Sequence, residues 1–300
     1  MATHGDDARI LAGGQSLVPL MNMRLARPDV VVSINRCDEL DFVEVTDTRV
    51  AIGALVRQID AERHPSIGSE CPLLVDALKH VGLPATRNRG TVCGILAHCD
   101  PLAELPAVAL ALEAELVLTS SGGERRVAAE DFFVTEMTTS IEPGEIISSV
   151  EFMRQGRDER SAFLEITNGG HAWPVGGVAL RWAVTDGVCT MARLAAFGVG
   201  SVAQRLTGAE KELVGSDLGS EAIAAAAAAA RAEVDPTGDI HADADYRRHF
   251  VGVLLERGLT QEVSSRPRCT TSKSRSTVGA ARPGSSLGAY SSTSCATTSG

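Results

Sequence analysis

Two glycine-bearing segments hold the residues best suited to chemistry: Ala12-Gly13-Gly14-Gln15-Ser16-Leu17, and Thr86-Arg87-Asn88-Arg89-Gly90-Thr91-Val92-Cys93-Gly94. Each offers backbone amides to an anion, and a dinucleotide pyrophosphate is the anion that suits them. The first segment follows a β-like run, Ala8 to Leu11. It precedes a helical pattern with Leu17, Leu20, Met21 and Leu25 on one face, so it reads as a strand-to-helix turn. Glycine there permits positive φ and close approach of a ligand, while free N–H groups at a helix start favour negative charge. Ser16 is placed to cap the helix or to contact a phosphate. A plain turn is the competing reading, and the third glycine of a Rossmann G-x-G-x-x-G is missing.

In the second segment, Arg87 and Arg89 bracket Asn88, and Gly90, Thr91 and Gly94 form a small-residue loop. Asp100, Pro101 and Glu104 then lead into a helix from Ala103 to Ala114. Arginines beside a glycine turn suit an anion, and a carboxylate such as Glu104 suits ribose or ribityl hydroxyls. A long surface loop with a solvated charge pair is the alternative on these residues alone.

Three stretches carry a resemblance: AGGQSLVP from Ala12 to Pro19, TRNRGTVCGILAHCDPLAELP from Thr86 to Pro106, and DYRRHFVGVLLERGL from Asp245 to Leu259. In this order the chain resembles, from about residue 6 to 261, the medium, flavin-binding subunit of the molybdenum hydroxylases, the carbon monoxide and xanthine dehydrogenase family. The resemblance implies an α+β chain. A p-cresol methylhydroxylase-type, vanillyl-alcohol oxidase-like FAD-binding domain occupies 1–154, and a small C-terminal domain of antiparallel sheet and helices occupies 160–262. By position it implies cofactor-binding residues Ile10, Leu11, Ala12, Gly13, Gly14, Gln15, Ser16 and Leu17, then Thr91, Val92, Cys93, Gly94 and Ile95. Gly82 would line the site, and Glu104 would reach ribityl or ribose hydroxyls. In the family-like segment Gly144-Glu145-Ile146-Ile147, Ile146 or Ile147 would lie near the adenine or the ring system.

The function implied is electron transfer, with the hard chemistry carried by cofactors. Substrate is hydroxylated at molybdopterin in a large partner subunit. Electrons then pass through 2Fe-2S clusters of a small subunit to FAD here, and on to NAD, oxygen or another acceptor, in a heterotrimer or its dimer. No side chain of this chain is expected to act as acid, base or nucleophile, and none to bind metal. A stand-alone flavin oxidoreductase needs a substrate pocket and a base that the sequence does not name. A flavin-free scaffold or decayed paralogue is the non-enzyme rival.

Composition agrees. Three hundred residues suit roughly two domains of ~100 to 200 residues each. The formal charge is -10. Five of the 28 basic residues lie after Val263, where there is no acid, leaving 23 basic against 38 acidic residues before it. An acidic body disfavours nucleic acid. Seven cysteines without a C-x-x-C pair argue against a disulfide framework or an intrinsic iron-sulfur site, so a reducing cytoplasm is expected. Cys93, His98 and Cys99 lack a fourth metal ligand. No signal-peptide core is present, and the alanine run from Ala224 to Ala230 is too short to span a bilayer, so no membrane insertion is expected.

The expected elements are a strand at Asp29–Ile34, a hairpin of Phe42–Val45 with Val50–Leu55, a helix at Leu73–Val81, and paired strands around Ser121-Gly122-Gly123. A strand at Ile146–Phe152 closes the first domain. Gln155 to Arg160 reads as a linker. Strands at Ala162–Thr167, Val178–Thr185 and Cys189–Val199 follow, the last two joined by Asp186-Gly187. Helices come near Gly208–Val214, Ser220–Glu233 and Asp243–Leu259, the last with Tyr246, Phe250, Val253, Leu254 and Arg257 in register with a packed face. From Ser264 the chain is rich in Ser and Thr and reads as a disordered tail, either an out-of-frame or artefactual extension or a basic linker.

Departures from the family pattern fall at three places. Relatives usually open with a further strand and helix of about two dozen residues before the first glycine motif, and a missing strand would expose a sheet edge. Cys93 stands where a glycine is common, and its Cβ disfavours positive φ. Asn168-Gly169-Gly170-His171-Ala172-Trp173-Pro174 replaces a basic pair followed by Gly-Asp-aromatic-Ala, and Leu164 replaces a lysine found in some relatives. Trp173 reads either as a stacking face for the flavin ring or as a core aromatic, with the core reading the stronger. His171 is an acid/base candidate or a plain surface histidine.

Overall fold

The computed structural model describes residues 7–169 and 173–260. His171 and the tail beyond Val263 lie outside the described residues.

The first described elements are a parallel pair, Ala8–Leu11 (β1) and Val30–Ser33 (β2), joined through the first glycine turn and the short helix Leu17–Asn22 (α1). Among the described residues this sheet has two strands only. The apolar face expected on α1 is not covered: none of its six residues is buried, and Met23 and Leu25 beyond it are 61% and 73% exposed.

Val43–Val45 (β3) and Arg49–Gly53 (β4) form the expected hairpin. A run of short helices follows: Gln58–Arg63 (α2), Pro65–Glu70 (α3), Pro72–Leu78 (α4), Pro84–Arg87 (α5) and Val92–His98 (α6). Proline in the first turn of α3, α4 and α5 starts each helix without sacrificing a bonded amide. Glu104–Ala111 (α7) has every residue buried, as suits a helix that is apolar nearly all round.

Glu115–Ser120 (β5) and Gly123–Ala128 (β6) are paired. Ala129–Phe132 (α8), Phe133–Thr135 (β7) and Thr138–Thr139 (β8) connect them to Ile146–Met153 (β9). The strand that ends the first domain in chain order lies at the centre of its sheet. The sheet order is β3-β4-β9-β5-β6, and β9 is antiparallel to both neighbours.

The second sheet is antiparallel, with Glu159–Thr167 (β10), Pro174–Thr185 (β11), Val188–Phe197 (β12) and Gln204–Arg205 (β13) in chain order. Thr207–Leu213 (α9), Ser220–Glu233 (α10) and Ala244–Thr260 (α11) complete the domain. Asp186 and Gly187 both have positive φ, 53° and 80°, the geometry of the tight hairpin turn their sequence signals. Gly187→Ala is expected to cost about 1 kcal/mol, read as a lower urea midpoint with unchanged slope.

The buried stripe of α11 differs from the expected one. Phe250, Val251, Leu254, Leu255 and Leu259 are buried, whereas Tyr246 is 45% exposed and Arg257 is exposed. The same stripe buries Arg247, whose guanidinium donates to the carbonyls of Val175 and Gly198 and pairs with Asp239 at 2.8 Å. A charge is tolerated there because carbonyls and a carboxylate replace its water. The first domain's core takes in Ala179, Ala195 and Phe197 of the second sheet, so the two domains share one apolar seam.

Candidate functional site

The two glycine loops, distant in sequence, meet directly. A Cβ on Gly13 would fall 2.2 Å from the carbonyl oxygen of Arg89 and 2.8 Å from Cα of Gly90, so only glycine lets the loops touch. Gly14 takes φ +74°, which turns the chain from β1 into α1. Among the described residues, no protein acceptor takes the amides of Gly13, Gly14, Gln15 or Ser16. Ser16 precedes α1 but makes no side-chain cap, which leaves its hydroxyl available. In the second loop Thr91 caps α6, accepting the amide of Gly94 at 3.0 Å.

Beside this junction lies an open cleft of about 380 Å³. Of the residues singled out from the sequence, Ile10, Ala12, Cys93, Gly94 and Ile147 line it, together with Ile146. Leu11, Gly13, Gly14, Gln15, Ser16 and Leu17 belong to the turn at its edge, and Thr91 to the cap. Val92 is buried in the core and Ile95 packs against it. Cys93 sits inside α6 without positive φ, and its buried thiol lies 3.6 Å from the carbonyl of Ile52. Burial pushes that thiol up to about 12, so it stays protonated and unreactive. The cost expected of a Cβ at this position therefore does not arise.

Two arginine and tryptophan positions depart from the sequence expectation. Arg87 does not face the cleft: it is buried, bonded to Glu62 at 2.8 Å and to the carbonyls of Val81 and Gly82 at 3.0 Å each. It thereby pins Gly82, which is exposed and away from the cleft lining. Trp173 is no core aromatic; at 72% exposed it lines a second cavity of about 410 Å³ with Asp100, Leu102, His241 and Arg247.

Glu104 opens α7 in the seam between the domains, 5% exposed and outside the cleft lining. Burial pushes its carboxyl up to about 7, and nearby Glu165 and Asp100 add to this against the opposing pull of its own backbone amide and of His80. His80 bonds Glu165 at 3.1 Å, which raises the imidazole's pKa. The far wall of the cleft, residues 137–139 and 141–147, carried no motif in the sequence apart from its last four residues. It is pinned by Arg125, which grips Glu145 through two bonds of 2.7 and 2.8 Å. Sequence reading also missed Asn35 and Arg57, which hold the glycine loops from behind through contacts too distant in the chain to leave a local pattern.

Known proteins share this arrangement. Residues 1–152 match the family described as the FAD binding domain in molybdopterin dehydrogenase, and residues 161–262 match the CO dehydrogenase flavoprotein C-terminal domain. The 6-hydroxypseudooxynicotine dehydrogenase complex subunit alpha of Paenarthrobacter nicotinovorans is 40% identical over 87% of this chain and 88% of its own. The carbon monoxide dehydrogenase medium chain of Hydrogenophaga pseudoflava is 33% identical over 85% and 89%. The solved carbon monoxide dehydrogenase from that organism superposes with a TM-score of 0.84 at 34% identity, covering 86% of this chain and 90% of that one. Quinoline 2-oxidoreductase from Pseudomonas putida 86 gives 0.81 at 32% identity, covering 84% and 88%. Two family matches in the order of the two domains, and relatives aligned across nearly their full lengths, lead to one conclusion: the chain belongs to the FAD-binding medium subunits of the molybdenum hydroxylases.

Proposed function

We propose that this chain carries electrons through FAD held at the junction of its two glycine loops, in a domain of the p-cresol methylhydroxylase type. The contact of Gly13 with Arg89 and Gly90 carries the reading, because it leaves a row of unclaimed amides beside an open cleft. Gly13, Gly14, Gln15 and Ser16 would bind the pyrophosphate through their amides and the Ser16 hydroxyl, with Leu11 and Leu17 framing the turn. Thr91, Val92, Cys93, Gly94 and Ile95 would form the second half of the cradle. Ile10, Ala12 and Ile147 would pack against the apolar parts of the dinucleotide, and Glu104 and Gly82 would flank it towards the seam. Bound flavin accepts electrons singly and releases them in pairs.

The chain's own task is to orient the ring, exclude water and present it to partners. Those partners would be a small 2Fe-2S subunit and a large molybdopterin subunit, as a heterotrimer or its dimer, in the cytoplasm, with NAD or oxygen as acceptor. Among the described residues no helix is long and apolar enough to cross a membrane. The domain limits that fit this role are 1–154 and 160–262. The test is the visible spectrum of the purified chain after incubation with FAD, with the nucleotide identified on denaturation. About one FAD per chain is expected for a single preformed site. A folded, colourless protein would favour the flavin-free scaffold.

A further inference from the structure

One short chain of hydrogen bonds takes up carbonyls from both glycine loops. Asn35 Nδ2 donates to the carbonyl of Ala12 at 2.9 Å, to that of Leu11 at 3.2 Å, and to Ser33 Oγ at 3.0 Å. Its Oδ1 accepts from Arg57 Nη2 at 2.7 Å, and Arg57 Nη1 donates to the carbonyl of Arg89 at 2.8 Å. Three oxygens around Nδ2 and a guanidinium against Oδ1 admit only one orientation of the amide. The backbone around Arg57 is tied to the same loop: Gln58 donates its amide to the carbonyl of Gly90 at 2.9 Å, and Val92 donates to the carbonyl of Val56 at 3.2 Å.

We propose that Asn35 and Arg57 are positioning residues for the dinucleotide phosphates, bracing the two loops together and aiming the first loop's amides away from the brace. In a trans peptide the N–H of Gly13 points opposite to the carbonyl of Ala12. Fixing that carbonyl on Asn35 therefore fixes the direction of the Gly13 amide. Fixing the carbonyl of Arg89 on Arg57 holds still the wall against which Gly13 rests. Arg89, Asp41 and Asp60 are the charged groups that act on Arg57. Two carboxylates offset the cation's field, so its contribution is chiefly geometric. The inference rests on the functional reading above for its ligand, though not for the brace itself.

The test uses the full chain and two measurements. Asn35→Asp is isosteric and keeps Arg57 paired, but sets a carboxylate against the carbonyls of Leu11 and Ala12. Arg57→Gln removes the link to Arg89, and Arg57→Lys can restore one bond of the two. In the ligand-free chain, hydrogen exchange at the bonded amides flanking the first loop, Val18 and Ile34, should quicken about ten-fold in N35D, and in R57Q also at Gln58 and Gly90 beside the second loop, with global melting unchanged. FAD and ADP should each bind about ten-fold more weakly, riboflavin as before, and R57K should recover part of the loss. Unchanged exchange in both variants overturns the brace. Equal weakening of FAD and riboflavin overturns the assignment to the phosphates. A wild-type chain that binds neither FAD nor ADP sinks the functional reading and the ligand with it, while the exchange rates still decide the brace.

Discussion

Gly13→Ala is expected to weaken FAD binding roughly a hundred-fold while the chain still folds, because the added methyl overpacks a backbone contact at a cost of about 1 to 3 kcal/mol. The new Cβ would lie 2.2 Å from the carbonyl oxygen of Arg89, and its nearest neighbours are main chain with no flexible end to swing aside. The first loop must lift, which carries its amides off the line they hold beside the cleft. The remainder of the first domain is anchored on the five-stranded sheet and the buried α7, away from the contact of Gly13 with Arg89 and Gly90. Melting should therefore fall by only a few degrees. Fluorescence titration with FAD and calorimetric melting on the same preparation separate the two effects. Loss of fold together with binding would show that the loop contact is structural rather than a cradle.

Glu104→Gln is expected to stabilise the ligand-free chain above neutrality by on the order of 3 kcal/mol. Burial raises the carboxyl from its ordinary 4.5 to about 7 in the folded chain. A group raised on folding contributes stability that is fully present below its unfolded value, declines above about 4.5, and is lost once the pH passes about 7. Gln keeps the shape and one acceptor but does not ionise. The difference between wild type and variant should therefore be small near pH 4.5 and level off above about pH 7. Urea unfolding across that range reads it directly. His80, whose pKa is raised by its bond to Glu165, adds a contribution of the same sign at somewhat higher pH. If Glu104 also reaches the hydroxyls of the cofactor, the same variant should bind FAD more weakly even as it resists urea better. Opposed changes of this kind mark a group retained for function.

The strands and turns are legible in the sequence where a local rule sets them. The hairpin of β3 with β4 and that of β11 with β12 follow from apolar, β-rich runs closed by short turns, and Asp186-Gly187 has the left-handed geometry its residues favour. The glycine loops are legible as motifs. Their contact is not, because nothing within either loop announces that Gly13 rests on Arg89. Arg87 and Arg89 look alike in sequence, yet Glu62, brought by α2, draws the first into the protein and leaves the second outside. On α11 the expected face, which counted Arg257, left out position 247; carbonyls from β11 and from Gly198 after β12 make that position habitable for a charge. Asn35 and Arg57 stayed hidden for the same reason: their partners lie 22 to 32 residues away.

The place of β9 has a consequence for synthesis. The strand is the last of its sheet to leave the ribosome, yet it lies between β4 and β5, which do not pair with each other. Until Met153 has emerged, the two hairpins β3-β4 and β5-β6 have no partner in common, and each leaves an unpaired edge. The nascent chain thus holds two separate ribbons and an unclosed core until that strand arrives. Insertion of one eight-residue strand then joins them in a single step.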